Sequence, residues 1–166
     1  MKYQLFHGSN ADFKTFDPSK VRYVGCNGDG FYFTPCERYA KTYGSIVKKW
    51  QVEIKNALTP ETKVLTINDY KDILKYIWNS EEKEDIKNYG WFDDLDFPFI
   101  MEGLAKYFYN KESDYVALFD LVHTVTGSMK NLLNILKKVS EIHFDAVISV
   151  QMQEYVVFNN NQIKLI

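Results

Sequence analysis

The period of the hydrophobic pattern changes twice along the chain, and this limits the possible folds more than any other feature of the sequence. Near both ends, short apolar or alternating runs predict strands at residues 1–6, 31–34, 46–56, 144–150, 154–158 and 162–166. Between these groups, apolar residues recur at helical spacing. The pattern predicts an α+β fold in which a helical block, at approximately residues 68–143, is inserted before the C-terminal strands.

Four stripes of apolar residues define the helical block. Asn68 is the predicted N-cap of the first helix. The stripes are Tyr70, Ile73, Leu74, Ile77 and Trp78; Met101, Leu104, Ala105 and Phe108; Tyr115, Leu118, Phe119 and Val122; and Leu132, Ile135, Leu136 and Val139. The acidic segment between the first two helices, Asn79 to Asp96, is predicted to be a solvated loop. No sequence repeat relates the four helices.

The composition predicts one globular domain and neither implies nor excludes a nucleic-acid substrate. The 166 residues are 46% hydrophobic and 25% charged, and the net charge of -2 gives no general attraction to nucleic acid or to an anionic membrane. Cys26 and Cys36 are too few for a disulfide framework and have no zinc-finger spacing to other ligands. No run of residues has the length of a signal peptide or membrane span, so the expected location is the cytoplasm, with delivery into another cell left open.

Three short motifs accompany the predicted strands. The first, Phe6-His7-Gly8-Ser9, places His7 at the exit of the first strand. The second is Gly30-Phe31-Tyr32-Phe33-Thr34, which a short helix follows, opened by Pro35 and ended by Gly44. Ala40 and Tyr43 share one face of this helix, and Tyr43 lies eleven residues after Tyr32. The third motif is Gln153-Glu154-Tyr155-Val156-Val157-Phe158.

In this order and context, the three motifs resemble the ADP-ribosyltransferase superfamily, in the His-Tyr-Glu branch that includes diphtheria toxin and the poly(ADP-ribose) polymerases. The resemblance covers residues 1–56 and 144–166 and implies a split β-sheet core that binds NAD. The predicted NAD-binding residues are His7, Gly8, Ser9, Tyr32, Ala40 and Tyr43. The resemblance implies that both tyrosines stack on nicotinamide, a flat cation that two facing aromatic rings suit. His7 and Ser9 are expected to bond ribose hydroxyls, and Gly8, without a Cβ, to let the backbone reach the carboxamide.

Glu154 is the predicted catalytic residue. Breaking the bond between nicotinamide and ribose leaves positive charge on the ribose, as in glycoside hydrolysis. A carboxylate in a water-poor cleft stabilises that charge and can accept a hydrogen bond from the ribose 2′-hydroxyl. The sequence offers no internal nucleophile, so the acceptor must come from the substrate. The reaction requires no metal, and no metal ligand set is predicted.

Each of these residues also has an ordinary structural interpretation. His7 alone would be a turn residue, Tyr32 and Tyr43 core residues, and Glu154 a charge that protects a strand edge. Their joint order, spacing and context favour the transferase. The other common NAD motif does not fit, because Gly25, Gly28 and Gly30 precede a strand, whereas the dinucleotide fingerprint opens a helix.

The resemblance implies a mono-ADP-ribosyltransferase that modifies a protein or nucleic acid, as a toxin or an effector in phage or host conflict, with an antitoxin or inhibitor as a further expected partner. Met152 stands where arginine-modifying relatives of another branch carry Glu or Gln, which disfavours arginine as the acceptor. Acceptor choice is the expected role of the helical block, which has no counterpart in the compact polymerase core. Two alternatives stay open: an NAD glycohydrolase with water as acceptor, and an inactive module that binds ADP-ribose or a partner.

Overall fold

The structure is a computed structural model that describes residues 1–20, 24–25, 28–79, 97–126 and 144–166. Its chain divides into two compact units. The first comprises Met1–Thr59 with Phe144–Ile166, and the second comprises Pro60–His143. Among the described residues, strands and a short helix form the first unit, and three longer helices lie in the second. The predicted α+β class is therefore confirmed, whereas the single-domain organisation stays a prediction.

The first sheet has three antiparallel strands. Strand β1 (Lys2–Ser9) pairs along its whole length with β5 (Ile46–Glu53), whose other edge pairs with β9 (Ile163–Leu165). The prediction that β1 ends at residue 6 was wrong, because His7 lies opposite Lys48 and Gly8 opposite Val47 inside the ladder. Pairing with a long partner strand outweighs the turn preference of glycine and serine.

The second sheet has four strands in the order β4, β8, β7, β6. These are β4 (Phe31–Phe33), β8 (Glu154–Val157), β7 (Ala146–Ser149) and β6 (Ala57–Leu58), which the sequence pattern did not predict. A bridge between Phe6 and Thr34 joins this sheet to the first. The two residues exchange backbone hydrogen bonds of 2.8 and 2.9 Å, so the strand that carries His7 is held beside the strand that carries Tyr32.

Several smaller elements also belong to the first unit. A hairpin of β2 (Val24–Gly25) and β3 (Gly28–Asp29) precedes β4, and helix α1 (Glu37–Ala40) follows β4. Single turns of 3-10 helix lie at Pro18–Lys20 and Asn160–Gln162. Trp50, Val52 and Ile54 are buried on one face of β5 and its continuation, as their alternation predicts. They pack with Leu5, Phe31, Phe33, Ala146, Ile148 and Val157 into one core.

The second unit contains α2 (Ile67–Asn79), α3 (Phe97–Tyr109) and α4 (Asp114–Thr126). Of the stripe predicted on α2, Tyr70, Ile73, Leu74 and Ile77 are buried and Trp78 is partly exposed, and the other two helices bury Ala105, Phe108 and Leu118. The N-cap prediction was wrong: Thr66, just before the helix, and Asp69, in its first turn, exchange reciprocal bonds as a capping box does, and Asn68 lies inside the helix. The fourth stripe and residues 80–96 lie outside the described residues. Of the helices described, none is long and apolar enough to cross a membrane.

Candidate active site

A cavity of about 490 Å³ in the first unit brings together the residues that the motifs single out. The predicted site residues His7, Gly8, Ser9, Tyr32, Ala40, Tyr43 and Glu154 all line it. The remaining walls are formed by Phe6, Ala11, Asp12, Phe13, Thr15, Phe16, Asp17, Gly30, Phe31, Phe33, Thr34 and Tyr39. Three motifs that are far apart in the sequence therefore share one concave surface.

The sheet pairing explains how Glu154 reaches this cavity. Strand β8 lies between β4 and β7, with Val156 opposite Tyr32 and Glu154 opposite Ser149. A turn before β8 is closed by the bond from Gln153 N to Val150 O, and Gln153 has a φ of 54°, which is the left-handed region. Glu154 follows this turn directly and is 6% exposed.

A hydrogen bond joins Tyr43 to Glu154. The Tyr43 hydroxyl donates to Oε1 of Glu154 over 2.8 Å. Burial, together with the hydrogen bonds to Tyr39 and Glu154, raises the pKa of Tyr43 above its ordinary value. Tyr43 therefore stays a hydroxyl donor at neutral pH, although the side chain is 38% exposed.

His7 is held in one tautomer by the backbone of β4. Its Nδ1 lies 2.8 Å from the carbonyl oxygen of Tyr32. Because a carbonyl only accepts, Nδ1 must carry the hydrogen, and in the neutral ring Nε2 is then an acceptor. Burial lowers the pKa of His7, and Phe13, Phe16 and Phe33 surround the imidazole with ring centroids 4.9 to 5.7 Å away.

Gly8 permits a very close approach of β1 to the end of α1. A Cβ on Gly8 would lie 1.8 Å from the carbonyl oxygen of Ala40. A Cβ on Gly44 would similarly lie 2.2 Å from the carbonyl carbon of Ser9. Packing of the protein itself thus requires glycine at both positions. Ala40 is fully buried, and its carbonyl accepts from the backbone N–H of Tyr43.

The segment from Ala11 to Asp17 forms a wall of the cavity that the motifs did not predict. Phe13 and Phe16 pack against Trp50, with ring centroids 5.8 and 4.8 Å away. Lys48 bonds both the Asp12 carboxylate and the Phe13 carbonyl, which fixes the segment on β5. Lys48 therefore anchors this segment, with a side chain 23% exposed. Two phenylalanines in an otherwise polar loop were the available signal.

Tyr39 was also missed. It lies four residues before Tyr43, and the two hydroxyls are 3.0 Å apart. Spacing of this kind places two side chains on one helix face, which was the signal available in the sequence. As for metals, no group of three or more His, Cys, Asp or Glu side chains that could hold one occurs within the described parts of the chain.

Comparison with known proteins identifies the family. A family model described as ADP-ribosyltransferase in polyvalent proteins matches residues 2–166. The chain therefore belongs to this family of ADP-ribosyltransferases, and the superfamily and the α+β fold that the motifs imply are confirmed. No curated protein matches the sequence. A solved structure titled as the crystal structure of an anti-CRISPR protein is 18% identical, with a TM-score of 0.42, and the match covers 100% of this chain and 96% of that one.

Proposed function

We propose that the chain is a mono-ADP-ribosyltransferase: it cleaves NAD, releases nicotinamide and transfers one ADP-ribose to a protein or nucleic acid. Family membership supports ADP-ribosylation in general. The observation that carries the proposal is the hydrogen bond from Tyr43 to the buried Glu154 at the cavity that His7 and Tyr32 also line. A buried carboxylate beside aromatic rings suits a ligand whose reacting half is a flat cation.

In this proposal, His7 and Ser9 bind ribose hydroxyls. Nε2 of the neutral His7 accepts a hydrogen bond, which a hydroxyl can donate. The Ser9 oxygen already accepts from the backbone N–H of Ala11 over 3.0 Å, so its own hydrogen is available to donate to a ligand. Together the two side chains offer one hydrogen-bond acceptor and one donor, which two neighbouring ribose hydroxyls can use.

Tyr32 and Tyr43 are the proposed nicotinamide platforms, with Gly8 and Ala40 forming the wall between them. Tyr32 is fixed on β4 and Tyr43 follows α1, so the two rings belong to different elements that line the same cavity. Small residues at 8 and 40 keep this part of the wall close to the backbone. A carboxamide is recognised well by backbone N–H and C=O groups, and Gly8 is proposed to offer them.

Glu154 is the proposed catalytic residue. The bond between ribose C1′ and the nicotinamide nitrogen breaks, and its electron pair leaves with nicotinamide, which becomes neutral. Positive charge develops on the ribose, and the carboxylate stabilises it while accepting from the 2′-hydroxyl. A lone pair of the acceptor then bonds C1′, and the acceptor's proton passes to Glu154 or to solvent.

The acceptor is proposed to be something other than arginine, with transfer limited to one unit. Met152, which lies in the turn before Glu154, is 41% exposed and lacks the carboxylate or amide that would orient a guanidinium. We also propose that the enzyme acts in the cytoplasm and that residues 68–143 serve in acceptor choice. Identification of the labelled residue by mass spectrometry tests the acceptor.

The decisive experiment incubates the purified protein with labelled NAD and cell lysate, beside Glu154→Gln. The proposal expects nicotinamide release and a labelled macromolecule with the wild type, and neither with the variant. Free ADP-ribose without a labelled target would establish the glycohydrolase instead. NAD binding without nicotinamide release would establish a binding module and overturn the enzyme assignment.

A further inference from the structure

Tyr39 contacts the proposed catalytic pair without belonging to any recognised motif. Its hydroxyl lies 3.0 Å from that of Tyr43, and its ring meets the Tyr43 ring edge to face at 5.4 Å and 89°. Tyr39 lines the same cavity and is half-buried. Two independent contacts, one polar and one aromatic, therefore join the side chains.

The direction of the hydrogen bonds follows from counting hydrogens. A tyrosine hydroxyl has one hydrogen, and a carboxylate oxygen only accepts. The hydrogen of Tyr43 is therefore used toward Glu154, and the Tyr43 oxygen accepts from Tyr39. The result is a chain in which Tyr39 donates to Tyr43 and Tyr43 donates to Glu154.

We propose that Tyr39 is a positioning residue, whose hydroxyl and ring fix Tyr43 in the orientation that serves both nicotinamide stacking and the bond to Glu154. This inference rests on the proposed function. A partly exposed side chain such as Tyr43 samples several rotamers unless contacts restrain it, and each restraint removes an alternative. Bonds in such a chain also strengthen one another, so the outer donor increases the charge stabilisation at Glu154.

The backbone around Tyr39 supports this role. Its carbonyl accepts from the backbone N–H of Thr42 over 3.0 Å and from the Thr42 hydroxyl over 2.7 Å. The turn that connects Tyr39 with Tyr43 is thus closed by bonds at its base as well as at the two hydroxyls. These bonds hold the backbone of Tyr39 independently of its contact with the Tyr43 hydroxyl, as a positioning residue requires.

The test compares Tyr39→Phe, Tyr43→Phe and the double variant in the full-length chain. Tyr39→Phe keeps the ring and removes the donor, so the turnover number for nicotinamide release is expected to fall about 3- to 10-fold, the range for one hydrogen bond, while the Kd of NAD stays within about twofold. In the Tyr43→Phe background the second substitution should have no added effect, because Tyr39 acts through the Tyr43 hydroxyl. Tyr109→Phe, at an exposed tyrosine of α3, is the matched control and should behave as wild type.

The inference is overturned by wild-type turnover in Tyr39→Phe, whatever the Kd, or by losses that multiply in the double variant. A readout without NAD separates this inference from the proposed function. With ¹³Cζ-labelled tyrosine, Tyr39→Phe should shift the Tyr43 resonance in the ligand-free protein, whereas Tyr109→Phe should not. If the wild type releases no nicotinamide, the proposed function fails, and an unchanged Tyr43 resonance would independently show that Tyr39 does not position this side chain.

Discussion

Gly8 of β1 touches the carbonyl oxygen of Ala40 so closely that even a methyl group would lie 1.8 Å from it. Neither Gly8 nor Ala40 can move without a large cost in free energy, because the atom opposite Gly8 is a backbone atom and β1 is paired with β5 along its whole length. We predict that Gly8→Ala lowers the free energy of unfolding by about 3 kcal/mol, at the upper end for overpacking, and weakens NAD binding. Chemical denaturation and calorimetric titration with NAD measure the two effects.

Gly103 supplies a matched control for that substitution. It lies inside α3, and a Cβ there would meet nothing within 4 Å. Gly103→Ala should therefore raise stability by about 1 kcal/mol, because alanine is the better helix former. Equal effects of the two substitutions would contradict the close approach at Gly8.

Glu154→Gln keeps the size and burial of the side chain and removes its negative charge. If Glu154 has the proposed catalytic role, the variant can no longer stabilise positive charge on the ribose, and we expect the rate of nicotinamide release to fall by about a hundredfold or more. The Kd of NAD should change by less than about threefold, because Tyr32 and Tyr43, the proposed stacking rings, remain. Glu53→Gln, at an exposed position of β5, is the control. A Glu154→Gln enzyme with wild-type turnover would remove Glu154 from the catalytic role.

The burial of His7 makes stability depend on pH. Its pKa in the folded protein is lowered from 6.5, so the unfolded chain binds the proton more readily. The stabilising contribution is present above about pH 6.5 and is lost as the pH falls through the lowered pKa. We predict that unfolding free energies measured from about pH 7.5 to about pH 5 decrease less for His7→Gln than for the wild type. A His7→Gln slope equal to that of the wild type would contradict this effect of burial.

Asp114 is a fully buried charged residue of the second unit. It accepts from the backbone N–H groups of Val64 and Leu65 and from the Tyr70 hydroxyl, and Lys63 lies 3.8 Å away. We expect Asp114→Asn to lower the free energy of unfolding by about 3 kcal/mol, because buried hydrogen bonds to a charged group are the strong ones, and Tyr70→Phe by about 1 kcal/mol. Far-ultraviolet circular dichroism during urea denaturation measures both.

The surface pair Asp72 and Lys75 provides the comparison for this prediction. Both side chains are more than half exposed, and their ion pair is 3.2 Å long. Asp72→Asn should change stability by less than about 0.5 kcal/mol, as exposed ion pairs contribute little. If Asp114→Asn were equally mild, the carboxylate would not be the anchor of the α2 and α4 starts.

The cavity could be predicted from sequence because its residues belong to short motifs tied to strands. Local pattern locates Tyr32 on β4 and Glu154 on β8, and the structure places both at one cavity. Tyr39 lies outside these motifs, and its proposed role depends on the rotamer of Tyr43, which local pattern does not determine. The anchoring of Phe13 by Lys48 joins residues 35 positions apart, and periodicity carries no information about such contacts.

The same limit explains the errors in the strands. Local preference ended β1 at residue 6, but the partner strand β5 continues the ladder to Ser9. The two-residue strand β6 pairs with β7, which lies far along the chain, and a run so short has no period of its own. A strand that forms because it pairs with a distant partner has no complete local signal, so its bounds cannot be predicted from the sequence alone.

Tyr43 and Glu154 are separated by 111 positions, and their hydrogen bond has a consequence for synthesis. A nascent chain leaves the ribosome from its N-terminus, so β1, β4 and α1 emerge long before β8. A ribosome-bound chain that has emerged only through α4 already contains the tyrosines but lacks the carboxylate. If Glu154 carries the chemistry, nascent chains that have not yet exposed β8 are harmless to the NAD pool of the cell that makes them.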